Sequence, residues 1–334
     1  MINYPTLEQY NEVFQYPQHA LVDPVLKTGQ IKMTGMGTPL ALCGGFALTY
    51  TLTVGNEKYA IRCFHKQSLD LENRYIAISS KIKSLKSPYF LDFEFQPKGI
   101  KVNSSPYPLV KMAWATGITL GEFLENNYKN QGLMKNLQKA LRNLASYLES
   151  SIVSHGDISP DNIMVSNNGN TLQLIDYDGM YVDNFRGKQS TELGNRNFQH
   201  VKRTADHFNH TLDRFSFILL DVAIEILITL PNLWKTTQSE ATAIIFRAND
   251  YASPENSNIF QELFQHPVLG DIVKRFAAIS KVDFDKIPSL LDFINNKNIP
   301  QINLTLSSVN KVAQYLAAFP VVDATSYNLG LKYV

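Results

Sequence analysis

Residues 153–182, VSHGDISPDNIMVSNNGNTLQLIDYDGMYV, constrain the fold more than any other stretch of the chain. Two short apolar runs, 163–165 and 172–175, are each bounded by turn residues and predict strands. Asn167, Asn168, Gly169 and Asn170 join them, and these residues tolerate positive φ, so the pair predicts a hairpin. A loop bearing Asp157 and Asn162 leads into the hairpin, and Asp176 closes it. Two carboxylates and one amide are thereby brought to one end of a β-ribbon. Phosphoryl transfer from Mg-ATP needs such a set: a carboxylate to orient or deprotonate the acceptor hydroxyl, and oxygen ligands for a hard cation. H-G-D alone is a polar turn and D-Y-D-G alone a β-turn; the spacing of the two pieces carries the reading.

Length and composition bound the rest. A chain of 334 residues exceeds one average domain, so two lobes and an appendage are expected. Hydrophobic residues at 44% and charged residues at 18% are those of a globular protein. The net charge of +1 gives no broad attraction to nucleic acid or to a membrane surface. Cys43 and Cys63 make no disulfide framework, which fits a cytoplasmic protein. The first residues, MINYPTLEQYNEVF, carry acids and a proline with no apolar core, unlike a signal peptide. The apolar stretch 215–234 is interrupted by Asp221, Glu225 and Pro231, and reads as a buried helix, not a membrane span.

In chain order, residues 1–36 read as a leader packed on the first lobe. Residues 37–65 predict three antiparallel strands, with Gly44-Gly45 between the first two and Gly55-Asn56 as a tight turn between the second and third. Residues 68–86 follow a helical period, with Leu71, Tyr75, Ile78 and Ile82 on one face and Ser68 as a cap. YFLDFEF, GIKV and YPLVKMA, within 89–113, predict further strands. Leu133, Leu137, Leu141, Leu144, Leu148 and Ile152 predict a long amphipathic helix. Residues 183–210 form a polar, basic loop too long to be a mere connection. Two or three helices follow over 259–296. Residues 299–307 read as a linker, 308–319 as a helix, and 321–334 as the opening strand of a further C-terminal module.

HGDISPDN (155–162) and Asp176-Tyr177-Asp178 resemble the H-R-D-L-x-x-x-N catalytic loop and D-F-G metal loop of protein kinases. Tyr59-Ala60-Ile61-Arg62 stands at V-A-I-K, and Leu212-Asp213-Arg214-Phe215-Ser216 resembles D-x-W-S. The resemblance covers roughly residues 37–296. With ELGNRNFQH (192–200), it looks like one bacterial group of serine/threonine kinase-like proteins. It implies a bilobal α+β protein-kinase-like fold: a small antiparallel β lobe plus one helix (37–112), a larger, mainly helical lobe (113–298), and a short C-terminal extension (299–334). Relatives of that group tend to carry further domains there.

The same resemblance casts Asp157 as catalytic base, Asn162 and Asp176 as catalytic Mg ligands, and His155 and Tyr177 as packing residues. Asp213 braces the catalytic loop from beneath. Gly44 and Gly45 stand at the phosphate loop, and Arg62 faces the α- and β-phosphates. Glu72 is the candidate helix glutamate pairing with Arg62; it lies out of register, as an ordinary first-turn acid would, and the longer arginine requires either a small-lobe helix set further out or a different carboxylate partner. Met112 stands at the gatekeeper, and Ala113, Trp114 and Ala115 at the hinge that binds adenine. Ser190 and Thr191, in the activation segment, are candidate phosphorylation sites. Gly156 replaces the H-R-D arginine, Ser159 replaces the loop lysine, and no A-P-E glutamate follows Phe198.

Three functions fit. The first is an ATP- and Mg-dependent kinase transferring the γ-phosphate to Ser or Thr of a protein partner. The second is a pseudokinase serving as a nucleotide-binding signalling module. The third is a small-molecule kinase, which the basic activation segment and the LDRFS motif disfavour.

Overall fold

Alternating apolar residues make two-faced ribbons of β3 (Ala47–Val54) and β4 (Glu57–Phe64). The structure, a computed structural model, describes residues 4–43, 47–66 and 71–301. β4 pairs with β6 (Ser105–Ala113), which pairs with β5 (Phe93–Val102), all antiparallel. β1 (Gln30–Ile31) and β2 (Ala41–Cys43) both lie along the free edge of β3. YFLDFEF and GIKV, expected as separate strands, merge into β5. The register shifts between Gln96 and Ile100, where Pro97 has no N–H for the ladder.

The outer face of this sheet carries Leu48, Tyr50, Leu52, Ile61 and Cys63 and is covered by the N-terminal segment. That segment holds α1 (Leu7–Val13), entered through a Thr6–Gln9 capping box, and α2 (Pro17–Ala20). The Tyr10 hydroxyl donates to the Phe64 carbonyl at 2.8 Å and fixes α1 to β4. The inner face packs on α3 (Leu71–Leu85), which buries Tyr75, Ile78 and Ile82. The residue expected to cap this helix, Ser68, lies outside the described residues.

The second lobe begins with β7 (Ile118–Thr119), α4 (Leu120–Asn127) and α5 (Gln131–Ser150). The apolar stripe from Leu137 to Leu148 is buried as its period requires. The helix stops short of Ile152, which is exposed at positive φ. β8 (Ile163–Ser166) and β9 (Thr171–Leu174) form the expected hairpin, and β7 pairs with β8. Asn167 and Asn168 take φ of 49° and 55° in its turn.

Beneath the hairpin lies α6 (Arg214–Thr229), buried nearly all round. At 1.5–3 kcal/mol per buried aliphatic or Phe side chain, it is the largest single block of the core, by an order-of-magnitude count. Its one deeply buried acid, Asp221, takes a forked pair of hydrogen bonds from Arg142 at 2.6 and 3.0 Å. α7 (Leu233–Thr236), α8 (Ala248–Ala252), α9 (Asn258–Phe264), α10 (Gly270–Lys281) and α11 (Leu290–Ile294) close the lobe. Among the described residues no helix is long and apolar enough to cross a membrane. The C-terminal linker, helix and strand expected from residue 302 onward lie outside the described residues.

His200 illustrates how tightly this lobe is satisfied. Its ring lies between Phe215 (5.0 Å) and Phe284 (6.0 Å). Nε2 donates to the Ile279 carbonyl (3.2 Å), while Nδ1 accepts the Lys202 N–H (3.2 Å), so only the neutral ring fits. Burial pushes its pKa down to about 4. The unfolded chain takes up this proton near pH 6.5 and the folded one only near 4, so stability is full above 6.5 and falls as pH drops through that window. The expected loss is about 2–4 kcal/mol, which urea unfolding at several pH values would measure. His200→Gln should show a shallower pH slope than the parent.

Candidate active site

The loop 153–162 and the segment after β9 converge at the mouth between the lobes. Asp213, just before α6, organises the first. Its Oδ2 accepts the His155 N–H (2.6 Å) and its Oδ1 the Gly156 N–H (2.8 Å), so a buried carboxylate clamps the loop backbone. Burial raises the Asp213 pKa, opposed by His155 and these two N–H groups. His155 Nε2 reaches the Ile175 carbonyl at 2.9 Å, tying this loop to the segment bearing Asp176.

Asp157, Asn162 and Asp176 come together as a unit. Asn162 Nδ2 donates to Asp157 Oδ2 at 2.9 Å, and the Ile175 N–H donates to the Asn162 carbonyl at 3.0 Å. The Asn195 N–H donates to Asp157 Oδ1 at 2.7 Å. Asp176 has φ of +62°, a strained conformation for a non-glycine residue. Loss of water would raise the Asp176 pKa, but Arg62 and then His155 hold it below the ordinary carboxylate range.

Arg62 projects from the inner face of β4. Its Nη1 donates to Asp176 Oδ1 (2.9 Å) and its Nη2 to Asp178 Oδ2 (2.6 Å). Glu72 is exposed on α3, and the carboxylates at Arg62 are these two aspartates instead. Met112 is buried on β6 opposite Ala60 of β4. The Ala113 N–H bonds to Asp92 and the Trp114 N–H to Lys58, with Ala115 next along the strand exit. Gly44 and Gly45 lie outside the described residues.

The metal loop is pinned by its middle residue. Tyr177 is fully buried; its hydroxyl accepts the Leu91 N–H (2.9 Å) and donates to the Leu174 carbonyl (2.8 Å). Its ring meets Phe93 edge-on at 5.2 Å.

The activation segment supplies groups that no motif announced. A Cβ on Gly156 would stand 2.2 Å from the Gly179 carbonyl oxygen, so the loop has no room for an arginine there. Arg203, buried, comes from the other side instead: Nη1 donates to the Gly156 carbonyl at 2.7 Å and Nη2 to the Glu192 carbonyl at 3.3 Å. Glu192 is raised to about 7 by burial and then by Asp176, Asp178 and Asp157. The Ser190 hydroxyl is buried and donates to the Glu192 carbonyl (2.5 Å), whereas Thr191 is exposed. An arginine downstream of a glycine-substituted catalytic loop was the available signal for Arg203. Asp178 was signalled by an acid where the metal loop normally carries glycine.

Among the described residues, four buried side-chain polar atoms have no partner, and three are donors of this region: Arg62 Nε, Gln199 Nε2 and Arg203 Nε. A buried orphan donor costs about 1–3 kcal/mol, so Arg62 Nε, on the side chain that reaches Asp176, is suited to an acceptor oxygen brought by a ligand. A hard cation also fits, because Asn162 Oδ1 and Asp176 Oδ2 remain for it while their companion atoms are engaged. No group of three or more His, Cys, Asp or Glu among the described residues is set to hold a metal alone. Such an ion would complete its shell with water and phosphate oxygens.

A small antiparallel lobe with one helix, a helical lobe, and a loop-borne Asp–Asn–Asp set between them define a kinase-like bilobal fold. Among solved structures, the chain is similar to the kinase PK-1 of Cydia pomonella granulovirus, with a TM-score of 0.51 and 14% identity over 83% of this chain and 96% of that one. No family model matches the sequence, and no curated protein matches it.

Proposed function

We propose that the chain is an ATP- and Mg-dependent phosphotransferase of the protein-kinase type, passing the γ-phosphate to Ser or Thr of a protein partner. One observation carries this reading. Arg62 places a buried, unpartnered N–H beside Asp176, in a cleft where Asp157 and Asn162 are already oriented. A cation, a carboxylate base and oxygen ligands for a metal are thereby joined in one hydrogen-bonded set.

Asp176 and Asn162 would hold Mg2+, which would supply positive charge to offset that of the phosphates. Arg62 holds the α- and β-phosphates by charge-assisted hydrogen bonds. Asp157, oriented by Asn162 and by the Asn195 N–H, accepts the proton of the attacking hydroxyl at Oδ2 or Oδ1. At the 113–115 strand exit the N–H groups of Ala113 and Trp114 are taken by Asp92 and Lys58, so Ala115 is the residue left to offer its N–H to the adenine edge, with Met112 behind it. The basic groups of 183–210 favour a macromolecular acceptor over a small alcohol. Ser159, buried where relatives carry a lysine, favours a second reading, a pseudokinase that binds nucleotide for signalling.

Incubation of the protein with γ-labelled Mg-ATP, alone and with candidate partners, tests the assignment. Label on protein is the expected result; bound nucleotide without label on any partner supports the second reading. A ligand selective for the folded state adds RT ln(1 + [L]/Kd) to stability. Mg-ATP should therefore raise the melting temperature of the parent, and Asp176→Ala should remove the Mg-dependent part of that rise. An equal rise in both proteins would overturn the metal assignment.

A further inference from the structure

We propose that Asp178 is the carboxylate that positions Arg62 for phosphate, and that Tyr75 couples this pair to helix α3. The proposal rests on the Mg-nucleotide reading of the cleft. Asp178 gathers three elements at one residue. Its Oδ2 accepts from Arg62 of β4 at 2.6 Å, and its Oδ1 accepts from the Tyr75 hydroxyl of α3. Its carbonyl accepts from Arg74 Nη2, also on α3, at 2.8 Å. The Arg74 guanidinium lies 4.8 Å over the Phe185 ring, so the helix is held to the segment that follows the metal loop.

Geometry separates the two aspartates at Arg62. The Asp176 side chain is 50% exposed and Asp178 17% exposed, against 9% for Arg62. The contact to Asp178 is thus both the better shielded and the shorter of the two. Arg62 takes one oxygen of Asp176 and a cation would take the other, so the two positive groups share the charge of one carboxylate. The bond to Asp178 involves no such sharing. With Asp178 in place, Arg62 keeps a carboxylate partner when Asp176 turns to a metal ion.

Tyr75 makes the arrangement sensitive to α3. A helix glutamate would contact the cation directly, but Glu72 is exposed one turn before Tyr75. Tyr75 acts one step removed, by orienting the carboxylate that orients Arg62. Its ring is wedged between Phe93 (5.8 Å, stacked) and Phe64 (5.1 Å, edge-on), so its hydroxyl position reports where α3 sits against the sheet. Movement of α3 away from the sheet would free Asp178 and let Arg62 fall onto Asp176.

Titration calorimetry with Mg-ADP, at several Mg2+ concentrations, tests this on the parent, Asp178→Asn, Tyr75→Phe, the double variant and Glu72→Gln. Asp178→Asn should weaken Mg-ADP at least about tenfold and demand more Mg2+ for half-saturation, because Arg62 then sits on Asp176 alone. Tyr75→Phe should weaken it roughly threefold, and the double variant should lose little more than Asp178→Asn, as coupled residues do. Glu72→Gln should match the parent. Tyr75→Phe keeps the ring and the fold, so it decides the matter should Asp178→Asn fail to fold. If the parent binds Mg-ADP and Asp178→Asn or Tyr75→Phe binds it with unchanged affinity and Mg2+ dependence, the proposal is overturned. If the parent binds no nucleotide, the nucleotide reading falls, and this proposal falls with it.

Discussion

Asp157→Ala should lower phosphoryl transfer by about two to four orders of magnitude, the usual contribution of a positioned general base. Nucleotide affinity should stay within about threefold of the parent, because a group used in the transition state changes kcat without changing ground-state binding. The structural basis is that both carboxylate oxygens of Asp157 are engaged by neighbours that hold them without neutralising them: Asn162 Nδ2 on one and the Asn195 N–H on the other. The side chain is therefore pre-aimed before an acceptor arrives. Gly194 keeps the space beside it open, since a Cβ there would stand 2.6 Å from Asp157 Oδ1. Initial rates with γ-labelled ATP, paired with Mg-ADP titration, check both halves. Equal rates in parent and variant would remove Asp157 from the role of base. No transfer in either, across a broad panel of protein acceptors, would leave the nucleotide-binding signalling module as the function.

Gly156→Ala carries the second large effect, and on stability rather than rate. The residue has φ of +84°, where alanine is strained by roughly 1–3 kcal/mol. The added methyl would also stand 2.2 Å from a backbone carbonyl oxygen, that of Gly179, which cannot swing aside like a side chain. Overpacking of this kind costs about 1–3 kcal/mol more. A total near 2–6 kcal/mol would unfold a large fraction of a marginally stable domain. Urea unfolding of parent and variant measures it. The same clash leaves no room for an arginine at this position of the loop, while Arg203 of the activation segment donates to the Gly156 carbonyl. A Gly156→Ala variant as stable as the parent would show that the loop has room there.

What the sequence disclosed and what it hid follow from the range of the contacts. The hairpin, its turn and the loop before it are local patterns of apolar runs, asparagines and glycines. Asp157, Asn162 and Asp176 were placed together on that basis. The buried α6 was legible because its acids were too few to face water yet too many for a membrane. The pairing of Arg62 was not legible, since it joins residues 114 and 116 positions apart. Resemblance alone pointed to Glu72, while Tyr75 read simply as one residue of an apolar stripe. Ile152 matched the period of α5 but fell past its end, because a periodic pattern carries no stop signal of its own. The merging of two expected strands into β5 depends on tolerance of one register shift, which alternation does not encode.

Tyr177 has a consequence for small-molecule selectivity. Swinging its ring out of the core would break the hydrogen bonds from Leu91 and to Leu174, at about 1 kcal/mol net each. It would also expose an aromatic ring worth about 1.5–3 kcal/mol. The swung-out conformer is thus held to the order of one molecule in a thousand. A phenylalanine at this position would keep the ring contacts but none of the hydroxyl's bonds, and would leave the Leu91 N–H without its acceptor. Inhibitors that gain affinity by filling the volume such a ring vacates must first displace this bolt. They should discriminate strongly against this chain and in favour of protein kinases with phenylalanine there, whereas compounds that leave this ring in place would not distinguish the two.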